Sequence, residues 1–293
     1  MHALIQAVVN GAVFGGIYAL GGVTFGLLYQ VTKVFHIAFA TIGMLGTMIA
    51  VSIAGDGGWA AIISGTAVGM AAVALTTVAV YLLIYRPLVR RGADTGTTFV
   101  ASLGLSLVIE AMVVLTFGPE NRSFNDFKLT REHEIGGYGV SALHVLVLAT
   151  VVVVTGGLSL VLGRTRIGHR VRAMISNPEQ AELVGIRTLL LSVGVCAVVG
   201  ALSVLPFVLQ GLNTSVVVSS SLPVTLFAVL AMIAGGIGSV WGTALAGMAI
   251  GIINGLAAAI VPGQWATSVV FVCALTLILI RPTGVVRTPA TSR

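Results

Sequence analysis

Apolar residues run through this chain in blocks too long for a soluble core. The runs lie at about 4–29, 34–54, 59–85, 96–117, 140–162, 187–210, 222–240, 243–261 and 265–280. A helix needs about 20 apolar residues to cross the hydrocarbon core of a bilayer, and most of the runs reach that length. The pattern predicts an all-α, polytopic transmembrane helical bundle of eight to nine spans, with residues 1–293 as a single domain. The run at 34–54 and the pair around 235–243 leave room for broken or re-entrant helices. Such pieces survive at membrane depth where protein buries them.

Composition sharpens this picture. Hydrophobic residues make up 57% of the chain and charged residues only 8%, against about 25% charged in a soluble domain. The mean hydropathy is +1.08. The spans use up the chain, so no soluble catalytic domain is expected. The net charge of +6 raises nucleic-acid binding, but the arginines sit in short gaps between runs, as in the loops of a membrane protein. The expected partner is the lipid bilayer, with no nucleic acid.

Those arginines also orient the chain. Arg86, Arg90 and Arg91 share one gap, Arg164, Arg166, Arg170, Arg172 and Arg187 another, and Arg281, Arg287 and Arg293 the tail. All fall on one side if the runs cross as set out. The gap at about 118–139 falls on the other and mixes Arg122, Lys128 and Arg131 with Glu120, Asp126, Glu132 and Glu134. The first set is expected in the cytoplasm and the 118–139 loop outside. Counting crossings then puts Lys33 and the C-terminus inside and the N-terminus outside. Lys33 is the first Lys or Arg, so no charged region of a secretory signal precedes the first run. Cys196 and Cys273 fall inside apolar runs and read as small buried hydrophobes rather than disulfide or metal partners.

Glycines mark where helices meet. Gly247, Gly251 and Gly255 share one face, as do Gly11 with Gly15 and Gly22 with Gly26. Without side chains, two backbones approach closely and gain van der Waals contact. Gly235, Gly236 and Gly238 fit a tight turn between two membrane helices. No strand pattern precedes them, and neither lysine stands in a P-loop, so no nucleotide site is expected. The spacing of His, Cys and Ser residues matches no metal or hydrolase motif. The chain is not expected to be an enzyme, and no cofactor is expected in it.

Polar positions at membrane depth are the candidates for function. Glu110 lies about two turns before Gly118 and fits either a pathway carboxylate that attracts an ammonium group or a paired or protonated carboxyl near the interface. His36 and His144 lie near run ends and read as interfacial. The stretch Gln210 to Ser215, with Ser219–Ser221 and Pro223, is polar but uncharged. It fits a broken helix facing a solute path, with Asn213 and Ser220 as candidates, or a plain external loop.

The gap at about 163–187 is the most informative. Asn177 before Pro178 suits a helix start, with Glu179 at the positive end of the dipole. Gly185 suits a stop. A short amphipathic helix in the cytoplasm does nothing for spanning; it is useful if a partner docks there.

Here the sequence resembles the permeases of ATP-binding-cassette importers, whose coupling helix has an E-A-A-x-x-x-G core. Glu179-Gln180-Ala181 and Gly185 stand at the matching places. The wider string, Arg164-Thr165-Arg166-Ile167-Gly168, Arg172-Ala173 and Asn177 to Ile186, is similar to the branched-chain amino acid permeases of the LivH/LivM type. So are Ala101–Ser106, Phe117-Gly118-Pro119 with Arg122-Ser123-Phe124, Gly235–Ser239 with Gly242, and Arg281-Pro282-Thr283-Gly284. Gly16-Ile17-Tyr18-Ala19-Leu20 resembles the LivH half. Three places depart from the family pattern. His36-Ile37-Ala38-Phe39-Ala40 stands where N-F-A-H-G is usual, Asn254 where Glu is common, and Glu110 where an uncharged amide is common.

The resemblance implies import of branched-chain amino acids, or related amino acids and amides such as urea, across a bacterial inner membrane. It implies a second related permease subunit and two cytoplasmic ATPases, which would hold ATP-Mg. A periplasmic or lipid-anchored binding protein would deliver the solute. It places ATPase coupling on Asn177, Pro178, Glu179, Ala181 and Gly185, and adds Tyr18 and Asn254 to the pathway candidates. An ion-coupled secondary transporter is the rival, and a channel the third reading; neither has a use for the helix at about 178–185.

Overall fold

The computed structural model describes residues 2–55, 57–124, 132–135, 138–217 and 221–280. The first helix, α1 (His2–Thr32), is the axis of the bundle. It packs on α11 (Ser221–Gly235) and α12 (Val240–Ile260). The glycine stripes set this packing. A Cβ on Gly15 would lie 2.8 Å from the Met248 carbonyl oxygen, one on Gly255 2.7 Å from Gly11 Cα, and one on Gly247 2.5 Å from Ala19 Cα. Positions 11, 15 and 19 therefore meet 255, 248–251 and 247 in reverse order, and α1 and α12 run antiparallel with touching backbones. Gly22 and Gly26 face α11 at Ala228 and Met232.

α2 (Ala38–Ala54) is almost wholly buried. It crosses α3 (Trp59–Val80) where Gly46 meets Gly69 and Gly65 meets Ala50. α3 passes through a π-helical turn (Tyr81–Tyr85) into the short α4 (Arg86–Arg90). α5 (Thr95–Phe117) packs its Thr98, Ser102, Ser106, Ile109 and Val113 face inward. After a two-stranded antiparallel hairpin, β1 (Glu132–Ile135) and β2 (Tyr138–Ser141), α6 (Ala142–Arg164) returns to the arginine-bearing end. α7 (Arg166–Ser176) and α8 (Pro178–Leu183) lie there, outside the spans. α9 (Thr188–Leu202) and α10 (Val204–Asn213) form one broken span, and α13 (Gly263–Ile280) closes the described chain.

Among the described residues, six segments are long and apolar enough to cross a membrane: Leu4–Thr32, Trp59–Arg90, Thr95–Phe117, Ala142–Arg164, Thr188–Asn213 and Val240–Ile260. Of the expected eight to nine spans, with broken or re-entrant pieces among them, the described residues thus give six of that length; the apolar helices α2 and α11 are shorter, at 17 and 15 residues, and α13 has 18. The reasons are local. The 17 residues of α2 rise only about 25 Å, short of a core of about 30 Å. α11 stops because Gly236 and Gly238 take φ of 98° and 108° in the turn to α12, where only glycine is unstrained. A Cβ on Gly235 would overlap the backbone of Gly242 and Thr243. α9 ends at Leu202, four residues before Pro206, and α10 begins after Ser203. Proline has no N–H to give the Leu202 carbonyl.

Several buried hydroxyls are satisfied within their own helix. Thr24 donates to the Leu20 carbonyl at 2.7 Å and Thr225 to the Ser221 carbonyl at 2.8 Å, which spares the membrane interior an unpaired donor. Cys196 is buried, but Cys273 is exposed on α13 and not in the core as its apolar run implied. The hairpin was not foreseen in the charged 118–139 gap.

Candidate functional site

At the arginine-bearing end, the 163–187 gap folds as two helices rather than one. Thr165 caps α7, its hydroxyl accepting from the Gly168 amide at 3.0 Å. Gly168 lies so close to the Val161 and Leu162 backbone that no larger residue fits. Val171 and Met174 bury the same face, and five arginines in the gap stay exposed.

α8 follows through a shared residue. Asn177 ends α7 and caps α8, its side chain accepting from the Gln180 amide at 3.0 Å. Pro178 fills the first position, where a missing N–H costs nothing, and Glu179 sits in the first turn. Ala181 is buried. The helix ends in a Schellman motif: Gly185, at φ 81°, donates to the Glu182 carbonyl at 2.9 Å, and Ile186 donates to the Ala181 carbonyl at 3.0 Å. Glu182 also accepts from the Thr188 hydroxyl. This stop leaves Leu183 and Val184 87% and 76% exposed at the tip. The helix is thus capped at both ends and holds two aliphatic residues in solvent.

Within the bundle, two of the pathway candidates meet. The Asn254 amide donates to the Tyr18 hydroxyl at 3.0 Å across the α1–α12 seam. The Tyr18 ring packs on Phe227 with centroids 4.8 Å apart. Tyr18 is enclosed, while Asn254 is partly exposed. Glu110 stands apart on α5, partly exposed beside the outward-facing Leu107 and Val108. Asn213 ends α10 at the end opposite the arginines of the 163–187 gap. Ser220 lies outside the described residues.

Two clusters were not anticipated. His36 is not interfacial but buried, its Nδ1 2.6 Å from the Tyr85 hydroxyl and 3.5 Å from Ser102 Oγ. Ser102 Oγ also accepts from the Ala38 amide at 3.2 Å. The cluster thus ties the α1–α2 junction to the π-helical turn and to α5. The π-turn was the missing signal: it rotates Tyr85 inward, and such turns recur at functional sites. At the opposite end, Arg122 clasps three elements. It donates to the Phe117 carbonyl at 2.8 Å and to Ser52 Oγ at 3.3 Å, and its backbone pairs with Val216. Phe124 beside it packs on Gly211. His144 caps α6, its Nδ1 accepting from the Ser141 amide at 3.2 Å. Among titratable groups outside the spans, Asp94 has its carboxyl held below the usual range by hydrogen bonds from the Thr97 hydroxyl and then the Thr97 amide. It caps α5. Among the described residues no cluster of His, Cys, Asp or Glu is placed to hold a metal.

Long apolar helices around a buried axis, with a small capped helix pair at one end, define a multi-pass membrane protein. The sequence comparisons give the family. The chain belongs to the family described as branched-chain amino acid transport system / permease component, whose profile matches residues 7–280. It is 24% identical to the high-affinity branched-chain amino acid transport system permease protein BraD of Pseudomonas aeruginosa, over 99% of this chain and 97% of the relative. It is 22% identical to the corresponding LivH of Escherichia coli K12, over 97% and 96%, and 21% identical to LivH of Salmonella typhimurium over the same shares. No solved structure matches. With its apolar helices, this makes the chain a multi-pass inner-membrane transport permease.

Proposed function

We propose that this chain is the membrane-spanning subunit of an ATP-binding-cassette importer for branched-chain amino acids. The observation that carries the reading is α8: capped at both ends, placed outside the spans and presenting Leu183 and Val184. Asn177, Pro178, Glu179, Ala181 and Gly185 build this coupling element, and a cytoplasmic ATPase receives its tip. The chain pairs with a second, related permease and two such ATPases, which carry the ATP-Mg. A periplasmic or lipid-anchored binding protein brings the solute and sets whether it is leucine, isoleucine and valine or a related amide such as urea. Tyr18, Glu110, Asn213, Ser220 and Asn254 are the pathway residues in this reading. The arginine-bearing end and the C-terminus face the cytoplasm, and the N-terminus lies outside.

The test is uptake of labelled leucine into vesicles holding the assembled complex. Uptake should require ATP on the ATPase side and survive collapse of proton and sodium gradients. Uptake driven by an ion gradient without ATP hydrolysis would establish the secondary-transporter reading instead. For orientation, a reporter fused after Arg91 or Gly168 should report cytoplasm and one fused after Asp126 periplasm; the reverse at Asp126 overturns the topology.

A further inference from the structure

An open apolar groove of about 230 Å³ runs between α6, α7 and α9 at the arginine-bearing end. Leu158 and Leu162 of α6, Ile167 and Val171 of α7, and Leu190 and Val195 of α9 line it, with Leu27 of α1 as the floor. Every lining residue is apolar. Ile167 and Leu190 are 59% and 65% exposed, so the groove opens sideways from the bundle.

Arginines crowd its end. Arg166 and Arg170 are exposed on one face of α7, each one residue before a groove-lining side chain. Arg164 follows Leu162 by two residues, and Arg187 precedes Leu190 by one turn. α7 carries no carboxylate. The acidic residues of this region, Glu179 and Glu182, lie on α8, and Glu182 accepts from Thr188.

A free anion would account for the arginines but not for the groove. A neutral lipid would account for the groove but not for the arginines. An amphipath with hydrocarbon chains and a negative head fits both. We propose that this groove is a binding site for an anionic phospholipid, with its acyl chains along α6 and α9 and its phosphate against Arg166 and Arg170. Arg164 and Arg187 add attraction from either side. The bound lipid joins α7, and through Asn177 the coupling helix α8, to the leaflet beside it. That this leaflet is the cytoplasmic one rests on the proposed orientation; the site itself rests only on membrane insertion.

Native mass spectrometry of the assembled complex in detergent tests this, with phosphatidylglycerol and phosphatidylcholine of the same acyl chains as probes. Phosphatidylglycerol should bind in preference. The double variant R166Q/R170Q should weaken it by about 25-fold, at about fivefold per arginine, and leave phosphatidylcholine unchanged. Gly194→Phe, which fills the groove from a position where an added Cβ meets nothing within 4 Å, should weaken both lipids. R90Q/R91Q, which removes equal charge in the other arginine gap, should change neither. Equal affinity for the two lipids would overturn the proposal, as would equal losses in R166Q/R170Q and R90Q/R91Q. So would loss of a bound ATPase from R166Q/R170Q with lipid binding intact, which would give these arginines to the protein partner. Failure of ATP-driven uptake would sink the importer reading and leave these lipid measurements standing.

Discussion

Gly251→Ala should break the α1–α12 seam. A methyl there overlaps the backbone N and Cα of Gly15 and comes 2.8 Å from the Gly11 carbonyl oxygen. These are backbone atoms, so no side chain can swing aside and the helices must part. A gap of about 0.5–1 Å forfeits a quarter to a half of the contact energy along the seam. Overpacking costs about 1–3 kcal/mol, and a clash with backbone on the axial helix belongs at the upper end, about 3 kcal/mol. The same change at Gly104, where an added Cβ meets nothing within 4 Å, removes only the helix penalty of glycine and should stabilise by up to about 1 kcal/mol. The two variants should therefore differ by about 3–4 kcal/mol in reversible unfolding in mixed detergent, or in the order in which the purified complexes lose their fold on heating. If Gly251→Ala matches Gly104→Ala within about 0.5 kcal/mol, the seam is not held by backbone contact and the reasoning fails.

Gly185→Leu forces a side chain into φ 81° and unmakes the Schellman stop; with Glu179→Lys, it should leave insertion intact and sharply lower transport-linked ATP hydrolysis. Full coupled activity in both would remove α8 from the coupling role. Arg122→Gln should cost about 1.5–3 kcal/mol for its charged hydrogen bonds and speed hydrogen exchange at Val216 while leaving Gly185 unchanged. The Asp94 cap contributes stability above its unfolded value near 3.8, and this is lost as pH falls through the lower folded value; exchange at the Thr97 amide should rise in that acidic window, and Asp94→Ala should abolish the pH dependence. Glu110→Gln should change uptake rate or its pH profile if the carboxylate faces the solute path; superimposable curves would retire it.

The spans were legible because apolar length is a direct demand of the bilayer. α8 was legible because Asn177, Pro178 and Gly185 are local signals for a start and a stop. α7 was not, because its buried positions Gly168, Val171 and Met174 hide among arginines, and a glycine that permits close approach reads as a helix breaker. The glycine stripes announced close packing without naming partners, since only the fold places residue 251 against residue 15. His36 was misread for the same reason: its partner Tyr85 is 49 positions away, and a lone histidine at the end of an apolar run gives no sign of it. Helix length was less legible, because apolar runs do not show where Gly236 and Gly238 end α11, or that α2 stops at Ala54.

The arrangement also limits how a push on α8 can travel in the proposed importer. α8 has two turns and shares Asn177 with α7, so the two move together or the cap breaks. α7 has no slack against α6, because Gly168 already touches the Val161 and Leu162 backbone, and Ser192 and Met174 join it to α9 at 3.6 Å. Motion entering at Leu183 and Val184 is therefore handed to the ends of α6 and α9. Beyond that point the chain offers compliance in only some places. α1 and α12 touch backbone to backbone and should move as one body. The α9–α10 break at Ser203 and the π-helical turn before α4 are where helical hydrogen bonding is already interrupted, and there bending costs least. His36, Tyr85 and Ser102 bridge the second of these breaks to the α1–α2 junction. Bending there must stretch the 2.6 Å bond between His36 and Tyr85, so Tyr85→Phe should change the rate of ATP-driven leucine uptake by the assembled complex while leaving its thermal unfolding unchanged.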